Sequence, residues 1–365
     1  MTLTNIRLPL KKFVKCVDHD RKVASARLLR RREGTFIKNV VPGDLQFDSQ
    51  SFAIFVIYQP ADIPWYVRNA LDSLSRQKIN VIAVLNYEAS PVILDDLKQN
   101  CHTILMRSNQ GFDIGGYRDA TIHLDRTAHD IKSVIYMNDS VYYFQNGLDT
   151  LFAKLSNSSN PVVSAFENTR ENDYHYQSFL FRVNGDVFRS QKFRSFWESY
   201  LPVSSRLYAI DEGEKGITRV LQEIHGQAEI IFTTTNLINA LEAQTNKLIL
   251  EYNNPAEELV NSLPSGLRFP AWGSPRPYLS RLERAVRTYS QVHSGGFLFR
   301  KFLDCPIIKR DLYYREFYTI EDLEYFFNNP RDETHFNNIK SDLLRKGKRA
   351  DLSYLRKIKF DLGII

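Results

Sequence analysis

Phe52-Ala53-Ile54-Phe55-Val56-Ile57-Tyr58 is an unbroken apolar run, rich in β-branched and aromatic residues and closed by Gln59-Pro60. A run this short with no polar alternation predicts a strand buried on both faces. Ile63, Val67, Ala70, Leu71 and Leu74 then recur at helical spacing, and Val81-Ile82-Ala83-Val84-Leu85 predicts a second buried strand. Ser90 as an N-cap with Pro91 in the first turn opens a short helix to Leu97. Residues 103–106 read as a third strand, 115–125 as a third helix and 133–137 as a fourth strand. This βαβαβαβ order predicts an α/β fold, a mostly parallel sheet flanked by helices, whose ligands bind at the carboxyl ends of the strands. Beyond it, residues 161–166 and 178–183 read as strands and 193–201 and 217–224 as helices, while residues 250–335 give no clear order.

The remaining composition narrows the class. The chain has 365 residues, 43% hydrophobic and 25% charged, which suits a folded globular protein of one large domain or two small ones. Its three cysteines, Cys16, Cys101 and Cys305, form no CxxC pair, so a disulfide framework or thiolate zinc site is excluded and a reducing compartment is expected. No apolar stretch approaches the roughly 20 residues of a membrane span, and no apolar core follows the basic N-terminus as a signal peptide requires. A cytoplasmic location is expected. The net charge of +6 is unevenly placed: residues 1–34 carry ten Lys/Arg against three acids, and residues 336–365 carry eight against three. Two basic ends on an acidic body point to terminal helices touching an anionic surface such as lipid, or to solvated helices without a partner, rather than to a nucleic-acid-reading face. Near the C-terminus Ile339, Leu343, Leu352, Leu355, Ile358 and Leu362 share a face at roughly helical spacing, which suits a membrane interface or packing on the main domain.

Four constellations can carry chemistry. Asn109-Gln110-Gly111-Phe112-Asp113-Ile114-Gly115-Gly116-Tyr117-Arg118-Asp119 follows the third strand. Gly115 and Gly116 permit close backbone approach, the helix start offers amides to a diphosphate, Arg118 can add a bidentate contact, and Asp113 or Asp119 can hold a sugar hydroxyl or cap the helix. Its spacing is not the GxGxxG of a nicotinamide enzyme. Asn138-Asp139-Ser140 closes the fourth strand with oxygen donors, a pattern for Mg²⁺ or Mn²⁺ with Asp139 as ligand, or for a plain strand-end turn. His175-Tyr176-Gln177-Ser178 stands before an apolar strand and is assigned to the pocket. Asp211-Glu212-Gly213-Glu214 precedes a helix, where the acids either suit the helix dipole or supply a general base.

Taken in order, these segments resemble the rhamnan synthesis F family, bacterial polysaccharide proteins similar to glycosyltransferases of the GT-A fold, which are Rossmann-related. The resemblance continues through Phe193-Arg194-Ser195-Phe196-Trp197, Glu214 to Thr218, Asn254-Pro255 and Cys305-Pro306-Ile307-Ile308-Lys309-Arg310, covering about residues 50–312. It implies a nucleotide-sugar donor bound by Asn109, Gly111, Asp113, Gly115, Gly116, Tyr117, Arg118, Asn138 and Ser140. It places Asp139 at the metal motif and Glu214 as catalytic base with Asp211 and Glu212 as rivals, while His175, Gln177 and Ser178 are expected on the acceptor side or elsewhere in the pocket. A full Asp-x-Asp is missing, since Asn138 and Ser140 flank Asp139, so a divalent metal is a candidate cofactor and no more. The implied organisation is a basic helical extension over residues 1–45, a transferase domain over 46–312 with its nucleotide-sugar half at 46–150 and acceptor half at 151–312, and a basic helical extension over 313–365. The implied activity is hexosyl transfer, of rhamnose or a related sugar, by single displacement onto a saccharide acceptor linked to a lipid diphosphate. The setting would be the cytoplasmic face of a bacterial membrane, and the product a cell-surface polysaccharide such as O-antigen, capsule or rhamnan. The alternative is a sugar-nucleotide-binding scaffold of an assembly complex.

Overall fold

The two apolar runs lie side by side as parallel strands, with Phe52 opposite Asn80 and Ile57 opposite Leu85. The computed structural model describes residues 4–33, 36–170, 173–251, 276–314, 318–322, 333–347, 349–354 and 356–357. In chain order its first half holds α1 (Thr4–Glu33), β1 (Ile37–Pro42), β2 (Ser51–Ile57), α2 (Trp65–Arg76), β3 (Asn80–Leu85), α3 (Pro91–Lys98), β4 (Thr103–Arg107), α4 (Phe112–Thr127), β5 (Ser133–Asn138), β6 (Val141–Tyr143) and α5 (Leu148–Asn157). The second half holds β7 (Val162–Ser164), β8 (Glu167–Asn168), β9 (His175–Tyr176), β10 (Leu180–Asn184), α6 (Gly185–Arg189), α7 (Gln191–Ser199), α8 (Arg206–Tyr208), α9 (Lys215–His225), β11 (Glu229–Ile230), α10 (Thr234–Glu251) and β12 (Ile307–Lys309). Later helices span Arg276–Tyr289, Gln291–Ser294, Gly296–Leu303 and Glu333–Lys346.

An eight-stranded sheet runs in the order β1-β4-β3-β2-β5-β10-β7-β11. Its centre, β4-β3-β2-β5, is parallel, as the βαβαβαβ pattern requires; β1 and β10 pair antiparallel with β4 and β5. The expected α/β class therefore holds. Each central strand is buried on both faces because side chains alternate: Ala53, Phe55 and Ile57 join α2, α3 and α5 on one side, and Phe52, Ile54 and Val56 join α4, α7 and α9 on the other. Ser90 caps α3 as expected, its hydroxyl accepting from the Ile93 amide at 3.4 Å.

Two boundaries differ from the sequence expectation. Residues 37–42 are a strand of the main sheet rather than part of a helical extension, since Ile37-Lys38-Asn39-Val40-Val41-Pro42 is a mostly exposed edge strand with little apolar pattern. Helix α4 starts at Phe112, three residues early, because Gly111 at φ +80° turns the chain directly into it. The ends of the chain also pack on the domain. In α1, Val23 and Ala26 contact Leu201 and Val203, and the Arg30 guanidinium donates to the carbonyls of Glu198 and Ser199 at the end of α7, satisfying groups that a helix terminus leaves open. In the helix Glu333–Lys346, Ile339 and Leu343 are buried in the larger core. Of the expected apolar face, Leu355, Ile358 and Leu362 lie outside the described residues, as do Asn254 and Pro255. Among the described residues no helix is long and apolar enough to cross a membrane.

Gly111 carries a local constraint that can be tested. A Cβ there would stand 2.6 Å from Pro202 Cβ and 2.7 Å from its Cα, on a backbone already left-handed. Gly111→Ala is expected to lower unfolding free energy by about 2–4 kcal/mol, summing left-handed strain and overpacking. Urea unfolding measures it, and a change under about 0.5 kcal/mol, the scatter of a neutral surface substitution, would refute the strain.

Candidate active site

The site begins with Asn138, the last residue of β5, which is 2% exposed. Its amide Nδ2 donates to Asp113 Oδ2 at 2.9 Å, and its Oδ1 accepts from the Ser140 backbone N–H at 3.0 Å and from Ser140 Oγ at 2.6 Å. Helix α4 carries Asp113 in its first turn, so one amide ties the start of α4 to the turn after β5. Asp139 faces the end of β2, its Oδ2 accepting from the Tyr58 N–H at 3.0 Å and from Gln59 Nε2 at 2.6 Å.

A second group arrives from β9 and the turn before α9. Ser178 Oγ donates to Glu214 Oε1 at 2.5 Å, and His175 Nε2 lies 3.5 Å from Glu214 Oε2. His175 Nδ1 faces the Asp173 carbonyl at 2.8 Å, an acceptor only, so Nδ1 carries a hydrogen. Glu214 is delivered by a π-helical turn, Ala209–Glu214, of a kind that recurs at functional sites. Gly213 lets that turn approach α4, since a Cβ there would already be 3.0 Å from Ile114. The turn also separates the three acids: Glu214 points inward, whereas Asp211 and Glu212 are exposed and Asp211 pairs with Lys215 at 2.9 Å. Asp211 and Glu212 are thus outside the cluster.

Carboxylates concentrate charge here. Burial, with Asp139 alongside, pushes the Asp113 carboxyl up from 3.8 to about 7; Lys309 opposes the rise and Glu214 adds to it. Lys309, the last residue of β12, reaches Ser140 Oγ at 3.0 Å and lies 4.6 Å from the centre of the Phe179 ring.

Several residues expected to bind a donor have structural duties instead. Gly115 and Gly116 are inside α4, not in an open loop, and the missing Cβ of Gly116 admits Val56 of β2, which a Cβ would meet at 2.8 Å. The Tyr117 hydroxyl donates to the Ser178 carbonyl at 2.8 Å, and its ring packs edge-on against Tyr136. Arg118 is buried on Asp119, which also holds Arg107 at 2.8 Å. Gln177 is buried at 8% exposure beside Ser178. Asn109 does face open space: with Asn86, Tyr87, Arg107 and Ser108 it lines a cleft of about 470 Å³ at the carboxyl ends of β3 and β4. Asn86 and Tyr87 directly follow a strand end, the one signal that could have found them. Lys309 lies in the Cys305 to Arg310 segment of the resemblance, which gave it no role.

The implied divalent cation fits these residues poorly. Hard cations gather several anionic oxygens, whereas here Asp139 Oδ2 already takes two N–H donors, its sequence neighbours are a neutral amide and a hydroxyl, and an ammonium adjoins them. Among the described residues no three His, Cys, Asp or Glu side chains cluster as a cation site.

Asp113, Asn138 to Ser140, His175 and Glu214 all fall within one stretch that has relatives. Residues 81–256 match the rhamnan synthesis protein F family. The match spans just under half the chain, and the family resemblance read from the motifs is thereby borne out. The uncharacterized protein y4gN of Sinorhizobium fredii is 25% identical over 210 residues, covering 56% of this chain and 55% of its own, so this chain spans about half the length of that relative. Among solved structures, the mannosyltransferase PcManGT from Pyrobaculum calidifontis, in complex with GDP-Man and Mn²⁺, aligns with TM-score 0.27 and 10% identity over 49% of this chain and 56% of its own. The glycosyltransferase GlyE of Streptococcus pneumoniae TIGR4 aligns with TM-score 0.31 and 11% identity over 56% and 52%. Neither alignment bears on the chemistry of the site.

Asp113 supplies a pH test. Between about pH 4 and 7 the folded protein retains a proton on Asp113 that the unfolded chain has released, so stability falls as pH rises through that window and does not recover above it. Asp113→Asn removes the ionisation and leaves a carbonyl to accept from Asn138. Its melting temperature relative to wild type is expected to be most favourable near pH 8 and to lose that advantage toward pH 4. A pH-independent difference would show that Asp113 ionises normally.

Proposed function

We propose that this protein is a glycosyltransferase of bacterial cell-surface polysaccharide synthesis, moving rhamnose or a related hexose from a nucleoside diphosphate sugar to a saccharide acceptor. The observation that carries this reading is the meeting of Asp113, the Asn138-Asp139-Ser140 turn and Glu214 at the carboxyl ends of the parallel strands, within the segment matching the family. That is where an α/β sheet seats its ligands. The cleft beside Asn86, Tyr87 and Asn109 would take the nucleoside, and the start of α4 and the Asn138-Asp139-Ser140 turn would take the diphosphate and sugar.

Glu214 is the base of this reading. Its carboxylate, positioned by Ser178 Oγ and facing His175, accepts the acceptor hydroxyl's proton as that oxygen bonds to the anomeric carbon. The bond from that carbon to the diphosphate breaks with its electron pair on the leaving oxygen, and one displacement inverts the centre. The acceptor is a lipid-diphosphate-linked saccharide at the cytoplasmic face of the membrane, where the basic ends of the chain meet anionic lipid.

Two measurements test the reading. Purified protein should melt at higher temperature with one of the nucleoside diphosphate sugars, since a ligand specific for the folded state must stabilise it. Glu214→Gln should keep that shift and lose transfer by about 10²–10⁴-fold, the usual share of a general base. Binding without transfer to any lipid-linked saccharide would replace the enzyme with a sugar-nucleotide-binding scaffold. For the membrane, replacing Lys346, Lys348, Arg349, Arg356 and Lys357 by Glu should abolish sedimentation with phosphatidylglycerol vesicles, and unchanged sedimentation would remove the C-terminal end from that role.

A further inference from the structure

The His175 imidazole is buried, so its two ring nitrogens must be satisfied by protein groups. Nδ1 donates to the Asp173 carbonyl at 2.8 Å, which also accepts from Asn168 Nδ2 at 3.1 Å across the turn from β8 to β9. The Asp173 carboxylate pairs with Lys215 at 2.5 Å and with Arg170 at 3.7 Å. On the other side of the ring, Nε2 looks at Glu214 Oε2 from 3.5 Å. A neutral imidazole carries one hydrogen, and Nδ1 holds it, so Nε2 turns a lone pair toward an oxygen of a carboxylate that offers only lone pairs. The two atoms are matched when one proton lies between them.

The backbone fixes this pairing. Thr218 of α9, itself buried, accepts from the Tyr176 N–H at 3.0 Å and donates to the Glu214 carbonyl at 2.7 Å. One hydroxyl therefore ties the residue after His175 to Glu214. Ser178 Oγ holds the other carboxylate oxygen, Oε1, which leaves Oε2 toward the ring. The Glu214 side chain is 21% exposed and that of His175 only 6%, so a hydroxyl arriving from outside reaches the carboxylate and not the imidazole. Glu214 also faces Asp113 from α4 and the Tyr200 phenol from the end of α7, and its charge discourages both from ionising. A proton delivered to this group relieves that crowding of acids.

We propose that His175 stores the proton that Glu214 takes from the acceptor: a neutral ring with its hydrogen on Nδ1 before transfer, an imidazolium after it. The proposal rests on the glycosyltransferase reading above. As the acceptor oxygen bonds to the anomeric carbon, its O–H bond breaks and the proton bonds to Glu214, while the diphosphate oxygen leaves with the electron pair of its bond to the sugar. The proton then passes from Glu214 Oε2 to His175 Nε2, the pair closing from 3.5 Å to hydrogen-bond distance as catalytic contacts commonly do in the reacting complex. Glu214 is again a carboxylate, now beside an imidazolium, and the proton returns through it to water once the product has left. A carboxylate alone is a weak base for a sugar hydroxyl, and imidazole is the side chain suited to draw the proton onward near neutral pH. His175 touches no substrate; it is a positioning residue that acts through Glu214.

The test uses the full chain and the hydrolysis of UDP-glucose, GDP-mannose and dTDP-rhamnose, in which water takes the acceptor's place. A glutamine in place of His175 can hold the carboxylate with an amide N–H but cannot take a proton. His175→Gln is expected to lower kcat by about 10²-fold, the lower end of what proton transfer contributes, with the donor KM of wild type, which also shows that the variant is folded. An unchanged kcat means that holding the carboxylate suffices and overturns the proposal, and so does an effect on KM alone. In a second measurement, ¹⁵N NMR of histidine-labelled protein at about pH 8, above the ordinary imidazole range, should show hydrogen on Nδ1 of His175 and none on Nε2, the resonance being identified by its loss in His175→Gln. Hydrogen on Nε2 in that state also overturns the proposal, because the ring then has no place for the proton. If wild type hydrolyses none of the three donors, or Glu214→Gln hydrolyses as wild type does, the reading of Glu214 as the base falls and takes the proposal with it.

Discussion

The Asn138 side-chain amide is the joint on which the site depends. It donates to Asp113 and accepts twice from Ser140, while the Asn138 backbone carbonyl accepts from the Tyr143 hydroxyl at 2.8 Å. One buried residue thereby ties the first turn of α4, the end of β5, the turn after it and the last residue of β6. An aspartate in its place could accept from Ser140 but would set a carboxylate oxygen against Asp113, with Asp139 already close enough to disturb that carboxyl. Like charges so placed cannot all ionise. The amide, donor and acceptor at once, resolves the conflict at this position.

Below this joint lies a second buried polar group. Asp119, one turn and a half further along α4, holds Arg107 from the end of β4 and its own neighbour Arg118. Removing one member of such a group leaves a buried charge uncompensated, at a cost of about 3–5 kcal/mol. Gly116 lets α4 press against Val56, and the paired charges fix where along β4 it sits. Together they set the height at which Asp113 meets Asn138. The π-helical turn then brings Glu214 to the same level from the opposite side, over Ile114.

The central strands were legible because fully buried strands must be continuously apolar, and the helices between them because their faces repeat at helical spacing. The edge strand Ile37–Pro42 was not, since an exposed edge needs no apolar pattern. Gly115 and Gly116 announced close backbone approach, but composition cannot say whether the approaching group is a phosphate or, as here, the Gln110 carbonyl at Gly115 and a valine of the neighbouring strand at Gly116. The resemblance singled out Glu214 over Asp211 and Glu212, but that the other two face outward depends on a turn type that no local residue pattern encodes. The segment holding Lys309 was read from the sequence, but its place was not, for a topological reason: its neighbour Ser140 lies 169 positions away, brought near by the pairing of two three-residue strands.

That separation has a consequence in time. Closing so long a loop costs little more than closing a shorter one, because the entropy grows only as the logarithm of length. Synthesis is different. At roughly 5–20 residues per second, the ribosome needs on the order of ten seconds to pass from Ser140 to Lys309. Throughout that interval β6, with Tyr142 and Tyr143, waits without its partner strand and the acidic turn waits without its ammonium. A nascent chain of this protein therefore completes its central sheet well before it acquires a finished site, and β6 is the edge that a chaperone would have to shield in the meantime.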